Sequence, residues 1–193
     1  VNAQQVLVRG GAGVLGAALL AGAMWLHTVR PRAEARVLEP IRSEGRVGEV
    51  VANREFSVRV ERVTAARALA RAVPRRRTPP VRTDGVYVIV RARATSGREP
   101  VRLQTARLVT AKGNTYWKAD RPDAAAPSEP ILQPLLWSPV TWVFEVPRDQ
   151  VAGARLLVGT GGLLPQLSAA AEIDLGLGGD VPVAALYDPG TER

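Results

Sequence analysis

The sequence predicts a mostly β fold, an antiparallel sandwich preceded by one N-terminal transmembrane helix, and three observations carry that prediction. From Gly10 to Leu26 no side chain is charged or polar, close to the length that crosses a bilayer. Beyond residue 50 the apolar residues recur at every second position, the period of a strand with one wet face. The chain has 15 Pro and 18 Gly, enough to cut these runs into short pieces, as in a sandwich.

Composition narrows the function classes. A chain of 193 residues buries one good core and leaves little room for a second. It has no cysteine, which removes disulfides, thiolate nucleophiles and Cys-based zinc sites. The net charge of +8 would suit nucleic acid or anionic lipid. Of the 26 basic residues, however, only Lys112 and Lys118 are lysine, so the basicity reflects coding bias as much as a binding surface.

The first element is "VLVRGGAGVLGAALLAGAMWL", residues 6–26, and it has two readings. Gly11, Gly13 and Gly16 spell the G-x-G-x-x-G of a dinucleotide-binding turn, with Glu39 near the place of a ribose-binding carboxylate. A crossover helix on an open sheet needs a wet face, and this one has none. No Tyr-x-x-x-Lys pair follows, since Arg91 stands four places after Tyr87 and Asp120 four after Tyr116. The segment therefore reads as a membrane span over 10–29, with Trp25 in the interfacial belt and Arg9 and Arg30 outside it. Ala12 with Gly16, and Ala18 with Gly22, are small residues four apart, the candidate helix–helix contacts. Residues 1–9 are a flank, and 30–49, polar with alternating charge, read as a linker or stalk.

The strands come next, within a sandwich domain assigned to 50–177 and followed by a tail, 178–193. In "REFSVRVERV" Phe56, Val58 and Val60 face one way. From Gly85 onward Val86, Val88, Val90, Ala92 and Ala94 share a face, and the opposite face begins with Tyr87 and Ile89 and ends with Arg91 and Arg93. A strand over 103–110, a turn at 112–114 and a return through Tyr116 and Trp117 make a hairpin. Val140, Trp142, Phe144 and Val146 alternate inward before Pro147, and "ARLLVGT" and "AAAEIDLGL" complete the set.

The order of these features resembles the telokin-like, immunoglobulin-like domains of exported Gram-positive and actinobacterial proteins, a group that includes a mycobacterial secreted antigen. The resemblance spans roughly 46–177. It rests on Ser96-Gly97-Arg98-Glu99-Pro100 at a bend, Lys112-Gly113-Asn114-Thr115-Tyr116 at a hairpin, and Phe144-Glu145-Val146-Pro147 at the end of a late strand. Ser96 stands where that pattern has Asn, and the arginine-rich stretch 71–82 is an insertion. The resemblance implies an immunoglobulin-like sandwich outside the cytoplasm, with no catalytic residues. The basic residues beside the helix, Arg30, Arg32, Arg36, Arg42 and Arg46 against Arg9, argue the other orientation, and the resemblance is followed.

Little in the chain speaks for catalysis. The sole histidine, His27, sits at the membrane edge, so no Ser-His-Asp arrangement can form in the sandwich. Asp120, Asp123 and Glu129 match no calcium loop spacing and read as solvated acids. The expectation is a non-enzymatic envelope protein, with no cofactor, metal or nucleic-acid partner, bound to the membrane and to a membrane-protein partner as an accessory subunit. The alternative is a recognition module for an anionic lipid headgroup or wall polymer, contacted through Arg71, Arg75, Arg76, Arg77 and Arg82. Ile131, Leu132, Leu135 and Leu136 form an apolar run in a loop and are candidate contacts. Trp117 reads first as a core anchor and second as a further contact residue.

Overall fold

The computed structural model describes residues 18–22, 24–25, 41–71, 79–119, 129–161 and 168–188. The chain divides into two units, Val1–Glu39 and Pro40–Arg193. In the first, residues 18–22 and 24–25 are helical, and Leu19, Leu20, Met24 and Trp25 are exposed. Ala18 and Gly22 lie on this helix, while Ala12, Gly16, His27 and the rest of 10–29 lie outside the described residues. Among the described residues no helix is long and apolar enough to cross a membrane.

The second unit is a β-sandwich. Its strands are β1 (Ile41–Arg46), β2 (Val51–Ala52), β3 (Phe56–Leu69), β4 (Val81–Ser96), β5 (Thr105–Val109), β6 (Thr115–Trp117), β7 (Ser138–Val146), β8 (Arg155–Gly159), β9 (Ala169–Asp174) and β10 (Val183–Ala184). One sheet has the order β1-β9-β8-β5-β6 and the other β10-β3-β4-β7, with β2 also paired to β3. The inward alternation of both sheets meets in one core. Phe56, Val58, Val88, Val90, Trp142 and Phe144 from the second sheet pack with Leu108, Leu156, Val158 and Ile173 from the first. Burial of these faces is the dominant favourable term in holding the sheets together.

Three departures from the sequence reading have physical causes. The sandwich is mixed, because β1 runs parallel to β9 and β10 parallel to β3. Strand β1 falls inside the stretch read as a stalk. "IRSEGR" alternates charge with small residues and shows no apolar face, and the strand is held by its ladder to β9 and by the ion pair from Arg42 to Glu172. Gly45 is needed there, since a Cβ would stand 2.4 Å from Val51 Cγ2. The stretch read as a tail supplies β10 and Tyr187, whose backbone bonds Ala68 O and Ala70 N at 2.9 and 2.8 Å. Tyr187 packs with Tyr87, Ile89 and Val143 in a small second cluster on the outer face of β4 and β7.

A bulge keeps the long β3 in phase with its environment. Val58 and Val60 face the core, so strict alternation would send Arg62 inward as well. The β3–β4 register shifts between Val60 and Arg62, turning Arg62 outward beside Arg91 and Val63 toward the core. At the other margin, Gly113 (φ 82°) closes the β5–β6 hairpin as its turn requires. The chain then leaves the first sheet for the second, since Ala119 N donates to Val143 O at 2.7 Å.

Candidate functional site

The outer face of the first sheet is a row of side chains read directly from the ladders. Glu44 pairs with Glu172, Glu172 with Leu157, Leu157 with Arg107, and Arg107 with Trp117. The next row is small: Thr105, Gly159 and Ala170 stand side by side. Gly159 is tightly enclosed, because a Cβ would meet Ala169 O and Thr105 Oγ1 at 3.1 Å and both would have to give way. Between the bulky row and the small one lies a cavity of about 190 Å³, lined by Thr105, Arg107, Trp117, Leu157, Gly159, Ser168 and Ala170. An apolar cavity of about 150 Å³ accepts benzene, so this one has room for a single ring or a branched side chain.

Trp117 is 61% exposed at the rim of this cavity. That corrects the core-anchor reading. Its partner register with Arg107 sets it on the outer face, while Tyr116 turns inward and donates its hydroxyl to Gln150 Oε1 at 2.9 Å. At the other end of the row Glu172 is buried and clamped from both sides, by Arg42 Nη1 at 2.8 Å and Arg155 Nη1 at 2.5 Å. Both carboxylate oxygens are engaged, an arrangement suited to fixing the β1–β9–β8 edge.

The apolar loop divides into two kinds of residue. Leu132 is fully buried, with backbone bonds in both directions to Val101 at 3.1 and 2.7 Å, so it is a core residue and not the surface contact its run suggested. Ile131, Leu135 and Leu136 are exposed, as is Trp137. Pro134 and Leu135 are the central residues of a turn closed by Leu136 N donating to Gln133 O at 3.4 Å. Leu135 has φ 64° and is the one non-glycine residue with positive φ among the described residues. A leucine there costs about 1–2 kcal/mol relative to its ordinary conformations. It is 95% exposed, so packing does not return that cost.

Of the arginine candidates, Arg71 and Arg82 are among the described residues. Arg75, Arg76 and Arg77 lie outside the described residues. Arg71 donates from Nε to Pro79 O at 3.0 Å, closing the base of the stretch between them. Arg82 stands on β4 opposite Ala68, and with Arg67, Pro80, Thr83 and Leu186 it lines an open cavity of about 480 Å³. A second basic cluster lies on the outer face of β3 and β4, where Arg59 pairs with Arg93 and Arg62 with Arg91. Glu61 lies between the first two, 3.5 Å from Arg59 and 3.4 Å from Arg93.

Of the three acids weighed for calcium, Asp120 and Asp123 lie outside the described residues, and Glu129 receives Lys118 Nζ at 2.6 and 2.8 Å. Among the described residues no three metal-ligating side chains come together. Sequence reasoning missed Arg107, Leu157 and Gly159. The alternation of "ARLVT" marks Arg107 as outward, but nothing local sets it beside Leu157, which is 50 positions away.

No family model and no curated protein matches the sequence. Solved structures do show likeness in chain path. The secreted protein MPT63 of Mycobacterium tuberculosis is 14% identical, with a TM-score of 0.48, over 70% of this chain and 97% of that one. A conserved protein of Bacillus anthracis is 19% identical, with a TM-score of 0.45, over 58% and 87%. A β-sandwich protein of Clostridium difficile is 12% identical, with a TM-score of 0.40, over 69% and 95%. These likenesses carry neither an activity nor a partner to this chain.

Proposed function

We propose that this chain is a non-enzymatic, membrane-anchored envelope protein whose sandwich, of immunoglobulin-like type and outside the cytoplasm, docks on a membrane-protein partner as an accessory subunit. The observation that carries the reading is the outer face of the first sheet, where exposed Trp117 and half-buried Arg107 flank a cavity of side-chain size. Tryptophan and arginine are the residue types enriched where interfaces concentrate their binding energy, and a pocket beside them receives the partner's anchor. The span at 10–29, read from the uninterrupted apolar run 10–26 with His27 and Thr28 at the interface, holds the sandwich at the membrane.

The test uses the full chain in its own membranes, with a photoreactive phenylalanine at position 117. Illumination is expected to give one discrete cross-linked protein, lost when Arg107→Glu is added and absent when the probe stands at position 112. A smear of products, or none, would remove the docking reading. Retention in the membrane after alkaline carbonate extraction, and release by Leu19→Arg with Leu20→Arg, tests the span separately.

A second reading is favoured by the cavity between Arg67 and Arg82: recognition of an anionic lipid headgroup or wall polymer at the root of the 71–82 stretch. Attraction of that kind is screened, so association of the chain with wall extract would fall steeply between about 50 and 200 mM salt. Docking through Trp117 would survive the same change.

A further inference from the structure

We infer that the loop 131–137 is a membrane-surface prong: Leu135 and its neighbours enter the headgroup–acyl boundary of a bilayer rich in anionic lipid. The inference is independent of the sheet-face docking reading, and only the argument from reach below rests on the proposed span. Leu135 occupies a conformation that glycine favours, yet the side chain is almost wholly in solvent. A residue that is strained and makes almost no contact serves nothing inside the molecule itself.

The prong is presented rigidly. Leu132 is locked to Val101 by two backbone bonds, and Thr95 Oγ1 donates to Gln133 O at 3.0 Å. Above this base Ile131, Leu135, Leu136 and Trp137 are exposed, Leu135 almost wholly. Cations stand around it. Continuing the Val101–Leu132 register by one residue sets Arg102 opposite Ile131, Arg98 lies in the adjoining bend, and Arg93, which shares Glu61 with Arg59, is paired to Pro139 just beyond Trp137. Glu99 is the acid in that bend. An apolar tip bearing Leu and Trp, ringed by arginine, matches the depth profile of a bilayer surface carrying negative headgroups.

A side chain standing almost wholly in solvent suits a yielding surface, whereas a protein acceptor would need a cleft shaped for Leu135. Reach favours the same occupant. With a span at 10–29, only residues 30–40 precede β1, and that stretch covers at most about 40 Å when fully extended. A weak surface contact then acts at high effective concentration.

The absence of cysteine makes the test clean, because Leu135→Cys offers one attachment point. Full-length protein with an environment-sensitive fluorophore at that position is reconstituted in vesicles of phosphatidylcholine alone or mixed equally with phosphatidylglycerol. In the mixed vesicles the emission is expected to shift to the blue, with iodide quenching about fivefold lower than for the same label at Lys112→Cys. Lys112 is beside Asp149, past the opposite end of β7, and serves as the reference. Arg98→Glu with Arg102→Glu should abolish the shift, and a label at Leu136→Cys should repeat it.

A label at 135 that stays as quenchable as one at 112 overturns the inference. Equal shielding in phosphatidylcholine alone overturns the assignment to an anionic surface. Shielding seen in native membranes but not in vesicles of lipid alone means that the loop seats on a protein, which overturns it too. Flotation of the Leu135→Asp/Leu136→Asp chain reads the span by itself, so failure of the anchor and failure of the prong are told apart.

Discussion

Leu135 and Glu172 show how single positions depart from what their residue type would lead one to expect. At φ 64° a glycine relieves the strain of Leu135 but adds freedom to the unfolded chain, and the two effects are each about 1 kcal/mol. Leu135→Gly is therefore expected to leave the urea midpoint unchanged or raise it. Leu135→Val keeps an apolar side chain but branches at Cβ, and should lower stability by about 1 kcal/mol or more. Glu172 is the opposite case, a carboxylate buried on an outward face because two guanidiniums cover it. Glu172→Gln removes the charge that Arg42 and Arg155 share. Urea unfolding should show a loss of about 1–2 kcal/mol, moderated because both arginines reach solvent. "QPLL" hints at the turn through Pro134, but the missing glycine hides where the strain sits. Nothing near Glu172 in the sequence announces its partners, which come from residues 130 and 17 positions away.

Among the elements, β3 is the one whose sequence carries a conflict that the fold resolves. "FSVRVERVTAARAL" begins with strict alternation, and the extra residue at Glu61 changes the phase so that Arg62 meets Arg91 in water and Val63 meets the core. Deleting Glu61 removes the bulge and leaves strict alternation, with Arg62 still outward opposite Arg91 and Val63 still inward opposite Val90. The expected result is unfolding that stays cooperative by circular dichroism, and loss of cooperativity would show that the bulge itself is needed. The inward faces of β4 and β7 were legible because both alternate over eight or more residues. Strand β1 was not, because its alternation is of charge against small residues and its stability comes from a ladder to β9 more than 120 residues later. The parallel pairings of β1 and β10 leave no local mark, as each joins segments remote in the chain.

For the whole molecule, the second cluster decides how much of the chain the sandwich needs. Tyr187 covers Tyr87, Ile89 and Val143 on the outer face of the second sheet, so the segment that carries β10 and Tyr187 belongs to the fold. Truncation after Asp180 should lower the urea midpoint, with a loss of about 2–4 kcal/mol, and raise binding of a hydrophobic dye. By itself the sequence determined the strand-rich class, the inward faces, the β5–β6 turn and the apolar character of 10–26, since each of these depends on the period and punctuation of neighbouring residues. Only the tertiary structure decided that Trp117 faces outward beside Arg107, that Leu132 is core while Leu135 stands in solvent, and that two arginines close on Glu172. Those outcomes depend on register between strands, which is fixed by how two faces fill one interior and not by any single stretch of chain.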